Sequence, residues 1–423
     1  MILVLFAVLI IALAIGVPVS FSIALSAFVF LLVGDSAPMT VLIAKMQDGV
    51  SSFSLLALPL FVLSGDLMAY GCTPRLMRLA NLLVKRIPGG LACTGVVSSA
   101  LFGTVSGSGV ATTAAIGSIV EPEMIRNGYG KGFTASIMAG AGTLGTVIPP
   151  SIPLVIYATT CGVSIGKMFM AGVIPGIIST VLLCLLSIII AKKRGYKGMV
   201  SFDGKSVRKI ILDALLPLLM PVFVLGSVLA GICTATESAS IAVVYSFILA
   251  VFVYKELKLK DLYKVISKAL VSSASILLIM AVAEPFGWVL TTNNVPTIVS
   301  NALTSFTSSG VLMILLISAL LLFLGTFMET ISIIILTAPM LLAVMQTYGM
   351  DPIHFGIIMK LALSVGGCTP PLAVCLFTSC RIVDARVDET FPDILYVCGF
   401  MTISMLIGIF FPQLSLWLPS LMK

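Results

Sequence analysis

Charge is what this sequence has least of: 10% of its 423 residues are Asp, Glu, Lys or Arg, whereas 59% are hydrophobic. A soluble domain carries about a quarter of its residues as charges, and a mean hydropathy of +1.19 makes the bilayer the solvent of this chain. Histidine is reduced to His354, and the nine cysteines include no C-x-x-C pair. A metal or disulfide framework therefore has no ligand pattern to rest on, and the cysteines read as small core residues. No Walker lysine follows the glycine-rich Gly103–Gly109, which argues against ATP hydrolysis. No Lys or Arg precedes Lys45, and the first apolar stretch runs from Met1 to Val33. That is a poor fit to a secretory signal peptide, so the start reads as two short spans of the mature fold, broken at Gly16 and Pro18.

What is there is a series of apolar runs. Each membrane helix needs about 20 such residues, and its backbone polar groups must be satisfied within protein. Breaks at Gly, Pro and charge predict spans near 1–16, 18–33, 55–71, 132–160, 168–191, 210–231, 235–254, 269–291, 354–380 and 395–419. Residues 91–125 and 310–346 are apolar but interrupted midway, and read as re-entrant hairpins of two half-depth helices each. The fold class is thus an all-α polytopic integral membrane protein of about ten spans plus two hairpins.

The net charge of +7 does not imply a nucleic-acid partner, because the basic residues lie between the apolar runs. Alternation places 72–90, 121–131, 192–209, 255–268 and 381–394 on one side, and these hold 20 of the 24 Lys and Arg residues. The positive-inside rule makes that side cytoplasmic and puts both termini outside. Within the first stretch, Arg75, Arg78, Lys85 and Arg86 alternate with Leu76, Leu79 and Leu83, predicting an interfacial helix over 73–86 with 295–306 as its counterpart.

An internal repeat organises the chain. Gly103-Thr104 recurs as Gly325-Thr326 at an offset of 222 residues, and Pro149-Pro150 recurs as Pro370-Pro371 at an offset of 221, with Gly145 matching Gly366. Because the two hairpins enter from opposite sides, the halves are inverted repeats, a device of secondary transporters. Each half joins a hairpin to a span that a Pro-Pro pair should unwind. Non-helical backbone is tolerated at that depth only when buried in protein or lining a wet cavity, so Gly103, Gly145, Pro149, Pro150, Pro370 and Pro371 are expected to line a site. The freed carbonyls and hydroxyls suit a hard cation, and inward-pointing half-helix N-termini suit a carboxylate. Ser151, Glu329 and Thr330 are the candidate substrate-cavity residues. Among intramembrane ionisable groups Asp66 should reach the interface, Glu237 and Glu284 should hold helices together, and Glu329 and Lys360 remain candidates. A membrane-embedded enzyme or receptor is the rival reading, but the chain offers no His-Cys, Ser-His-Asp or metal-spaced cluster.

With these residues in view, the chain resembles the large membrane subunit of a tripartite ATP-independent periplasmic (TRAP) transporter, of the DctM or SiaM type. The resemblance is carried by Ser106–Gly117, Glu123–Tyr129, Gly142–Tyr157 and Asp351–Ile358 and covers nearly the whole chain. It implies an elevator-like fold with scaffold helices and interfacial arm at 1–90, transport units at 91–167 and 310–394, connecting scaffold at 168–309, and a final span at 395–423. It also implies a bacterial inner-membrane location, a small four-helix membrane subunit, a periplasmic binding protein, an organic-acid substrate, and Na⁺ as coupling ion with no other cofactor. Carried over by motif, the cation sites are Ser106, Ser108, Thr143 and Thr146 in one half, and Gly325, Thr326, Gly366 and Thr369 in the other. Ala235 and Ser238 around Thr236-Glu237, and Gly367-Cys368 before Thr369, depart from the family pattern. Thr146→Val and Thr369→Val are expected to weaken the Na⁺ dependence of uptake more than they lower expression. Unchanged Na⁺ activation in both variants would remove these side chains from the coordination.

Overall fold

The computed structural model describes residues 2–34, 37–84, 86–196, 207–304, 307–371 and 373–422; Lys85, Lys197, Lys205, Phe306 and Lys423 lie outside them. Two short apolar helices, α1 (Ile2–Ala14) and α2 (Val19–Gly34), turn at Gly16, whose φ of 85° suits a residue without Cβ. After α3 (Thr40–Asp48), α4 (Ala57–Val84) is kinked at Tyr70 and Gly71. Tyr70 and Gly71 are non-helical, so the segment beyond them is a helix of its own direction, as read from the sequence. Arg75 there stacks on the Tyr254 ring at 3.7 Å and pairs with Glu256 at 2.8 Å.

The first hairpin is α5 (Gly90–Ser106) and α6 (Gly109–Arg126), followed by α7 (Lys131–Thr143), a 3₁₀ turn over Leu144–Thr146, and α8 (Ile152–Thr160). Then come α9 (Ile165–Arg194), α10 (Val207–Leu229), α11 (Ala235–Ile248), α12 (Leu259–Thr292) and α13 (Val295–Thr304). The second hairpin, α14 (Gly310–Phe327) and α15 (Thr330–Thr347), precedes α16 (Pro352–Gly366) and α17 (Val374–Val383). The chain closes with α18 (Asp393–Phe410) and α19 (Gln413–Ser420). The single span expected over 395–419 is therefore two helices, divided at Phe411-Pro412, where proline removes a donor.

Among the described residues the ordered segments are helical, and eight helices are long and apolar enough to cross a membrane. The hairpin arms are 17 or 18 residues long, about 26 Å at 1.5 Å per residue, so they are longer than the half-depth helices expected. Both Pro-Pro bonds are cis, and α7 and α16 each stop short of them.

Packing interleaves the repeats. One core joins residues of α5, α6 and α7 with Cys375, Leu376, Cys380 and Val383 of α17. A second joins α14, α15 and α16 with Leu154 to Ala158 of α8. Each hairpin thus packs on the first half of its own broken helix and the second half of the other repeat's. Within each repeat the crossing is backbone on backbone. A Cβ on Gly103 would lie 2.6 Å from Gly145 Cα, and one on Gly366 would lie 2.7 Å from Gly325 Cα. These four glycines are contact points between helices, which is the small-residue packing that lets membrane helices approach closely.

Two ionisable residues differ from their sequence readings. Glu121, assigned to a cytoplasmic loop, is fully buried in α6 and accepts a hydrogen bond from Ser379 of α17 at 2.6 Å. Gly117 makes its room, since a Cβ there would sit 2.5 Å from Glu121 Oε1. Glu237 joins no second helix; its carboxylate accepts from the Thr234 backbone at 2.7 Å and caps α11. Glu284 is exposed on α12, beside the turn at Gly49.

Gly103→Ala is expected to destabilise the purified protein by about 1–3 kcal/mol through overpacking. Gly399→Ala, in α18 with nothing within 4 Å of a new Cβ, should leave the melting temperature unchanged or raise it. Equal melting temperatures for Gly103→Ala and the parent would refute the close crossing.

Candidate functional site: a cavity at four helix breaks

The first hairpin turns at Gly107 and Ser108. Gly107 has a φ of 61°, and its N–H donates to Gly103 O at 3.1 Å, while Ser108 accepts from Ala111 N and caps α6. The turn leans on the first Pro-Pro break: Ile152 N donates to Gly107 O at 3.3 Å. The second hairpin turns at Met328 and Glu329, and the Glu329 carboxylate accepts from Ile331 N at 2.9 Å and Ser332 N at 3.3 Å. Gly103-Thr104 and Gly325-Thr326 are helical, and the turns fall inside the midway interruptions read from the sequence, 103–109 and 325–330.

Both turns and both broken helices face one cavity of ≈ 740 Å³. Of the residues expected at the site, Ser106, Ser108, Thr143, Thr146, Gly325, Glu329 and Thr330 line it. Gly103, Gly145 and Gly366 stand behind, in the crossings just described. Pro149, Pro150, Pro370, Pro371, Ser151, Thr326 and Thr369 also stand outside the lining. Ser151 Oγ donates back to Thr146 O at 2.5 Å, which staples the first break; Thr369 Oγ1 donates to Val365 O at 2.8 Å and lies 3.3 Å from Cys398 Sγ.

Oxygens gather at the first turn. Ser106 Oγ is 2.8 Å from Thr112 Oγ1, which donates to Ser108 O at 2.7 Å, and Ser106 Oγ is 3.4 Å from that same carbonyl. This neutral cluster suits a hard monovalent cation in ligand type. Thr112 was not among the expected ligands; its place one turn after Ser108 in α6 is the signal that finds it. Among the described residues no group of three or more His, Cys, Asp or Glu is placed to hold a metal.

Three further charged groups reach the cavity. Lys360, buried in α16, donates to Ser364 Oγ at 2.9 Å. Asp66 and Lys268, joined at 2.7 Å, also line it. Asp66 lies four residues before the break at Tyr70 and Gly71, near the end of the first part of α4. Lys268 is not in a loop, because α12 starts at Leu259 and carries it about 13 Å along the helix.

Residues 6–414 match the family described as the tripartite ATP-independent periplasmic transporter, DctM component. The chain belongs to this family.

Among its relatives, the isethionate TRAP transporter permease protein DctMQ of Oleidesulfovibrio alaskensis is 36% identical over 96% of this chain, which spans 64% of that protein's length. The sialic acid TRAP transporter large permease protein SiaM of Vibrio cholerae is 33% identical over 96% of this chain and 95% of its own. The C4-dicarboxylate TRAP transporter large permease protein DctM of Rhodobacter capsulatus is 33% identical over 99% of each. A crystal structure of the Alcanivorax borkumensis YdaH transporter covers 87% of each chain with a TM-score of 0.60 at 14% identity, a likeness of fold alone. This DctM-family chain is a multi-pass membrane protein and the large permease subunit of a TRAP transporter, not an enzyme. The family resemblance read from its motifs is borne out.

The Asp66–Lys268 bridge joins α4 to α12 with the Lys268 side chain 68% exposed. A double-mutant cycle on Asp66→Asn and Lys268→Gln, read from thermal unfolding, should give a coupling of about 0.5–1 kcal/mol that shrinks with added salt. Coupling that is indifferent to salt would show that the pair is sealed from water.

Proposed function

We propose that this permease carries out secondary active, Na⁺-coupled uptake of an organic acid delivered by a periplasmic binding protein. A small four-helix membrane subunit completes the complex in the bacterial inner membrane, with both termini of this chain periplasmic. The observation that carries the proposal is the convergence of two hairpin turns and two broken helices on one cavity. Backbone groups at such breaks face the cavity because hydrocarbon cannot satisfy them, and an ion and a substrate bound there share one set of walls. Relatives named for isethionate, sialic acid and C4-dicarboxylates support an organic acid as the substrate class.

Ser106, Ser108 and Thr112 are the residues of the first half that would hold Na⁺ through hydroxyl and carbonyl oxygens. Thr143 and Thr146 stand beside them on the first break, and Thr330 stands across the cavity. The hairpins and broken helices form the moving unit of an elevator, braced by α1, α2 and α10 to α13. A potential of 100 mV supplies about 2.3 kcal/mol per charge, so two net charges moved inward per substrate sustain about 10³-fold accumulation.

Proteoliposomes holding this chain and its small subunit, supplied with loaded binding protein, should accumulate substrate when an inward Na⁺ gradient is imposed. Ser106→Ala should raise the half-activating Na⁺ concentration several-fold while leaving the complex folded. Uptake that ignores the Na⁺ gradient would end the coupling proposal.

A further inference from the structure

The cavity holds an ammonium group that sits in no ion pair among the described residues, with Glu329 the carboxylate that shares its field. Of the Asp, Glu, Lys and Arg residues that line it, Asp66 and Lys268 neutralise each other at 2.7 Å. Glu329 directs its carboxylate to the first amides of α15, where a negative charge is favourable. Lys360 is left. It is 2% exposed, its Nζ donates to the neutral Ser364 Oγ at 2.9 Å, and it forms no ion pair among the described residues. Ser364 in turn donates to Lys360 O at 2.9 Å, so its hydroxyl proton is committed and its lone pair is what the ammonium receives. An ammonium has three N–H donors, and among the described residues one acceptor, Ser364 Oγ, is within hydrogen-bond reach.

Burying a cation without an anion is unfavourable by several kcal/mol in a low-dielectric interior, and proteins retain such residues where a ligand supplies the opposite charge. The cavity is otherwise lined by neutral hydroxyls, among them Ser106, Ser108, Thr143, Thr146 and Thr330, and by apolar Leu363, Ala373 and Val374, and its other cation, Lys268, is paired with Asp66. One acid group meets an ammonium outside any ion pair; a second finds no such cation.

Resting on the transport reading above, we propose that Lys360 receives the acid group of the substrate. The cavity is accordingly built for a monoanion, a monocarboxylate or a sulfonate, and not for a dicarboxylate. Lys360 is thereby a specificity-determining residue of this chain, and the same arrangement excludes succinate-like dianions by leaving their second charge unpaired.

The test uses the complete transporter. The cognate binding protein is screened by thermal shift against 2-hydroxyethanesulfonate, lactate, N-acetylneuraminate and succinate, and the acid it captures is followed into proteoliposomes. The captured acid should be one of the three monoanions. Lys360→Gln should cut its uptake at least ~10-fold through a raised KM, as expected for loss of a charge-assisted hydrogen bond. The half-activating Na⁺ concentration should stay within about twofold of the parent's, since no cation ligand is removed. Lys360→Arg should restore part of the uptake, and an unchanged size-exclusion profile for both variants separates loss of binding from loss of fold. Capture of succinate, or of none of the three monoanions, overturns the substrate class. Full uptake in Lys360→Gln, or a changed Na⁺ activation with an unchanged KM, overturns the role of Lys360 while leaving the transport reading intact. Absence of Na⁺-driven uptake in the parent protein overturns that reading and this inference together.

Discussion

Backbone amides and carbonyls cannot be left bare in hydrocarbon, and the architecture follows from where this chain interrupts its helices. Two Pro-Pro pairs and two hairpin turns release polar backbone at the middle of the structure. None of these breaks is viable alone against lipid. Gathered around one cavity they shield one another, and the tie from Ile152 N to Gly107 O shows one break satisfying the next. The cavity is the shared surface that four interrupted helices need.

The glycine crossings make that gathering possible. With side chains at Gly103 and Gly145, or at Gly325 and Gly366, the hairpin arms would stand off from the broken helices and the turns would not reach the breaks. Membrane helices gain little from hydrophobic association, so close van der Waals approach at small residues carries much of their packing. The same residues that admit the approach also set the depth of the turns, a few residues further along each arm.

Features written in local covalent chemistry were legible in the sequence. Proline's missing donor marked both broken helices, glycine and charge marked most span ends, and the offset of the Gly-Thr and Pro-Pro pairs revealed the repeat before any coordinates. The hairpin turns fall within the interruptions read from the sequence, but the work of Gly103 and Gly325, which is to let another backbone pass, was not legible there. Pairings that depend on distant chain were invisible: Asp66 meets Lys268 across 202 residues, and Glu121 meets Ser379 across 258. No spacing rule connects such partners. Lys360 was recognised as an ionisable residue within a span, but its place at the cavity follows from the rotation of α16 about its axis. The packing of Gly366 on α14 and of Gly356 on Tyr157 and Met168 fixes that rotation.

The exchange of α8 and α17 between the two hydrophobic cores has a consequence for mechanical integrity. Each repeat contributes one strut to its twin, so drawing the two apart would open both cores at once. Such a clasp resists separation along its seam but offers little resistance to travel as a single block. The seam runs through the cavity, so in the elevator proposed above whatever occupies that space would be carried by an undivided body. Access from either side of the membrane would then change at its outer boundary with the surrounding helices.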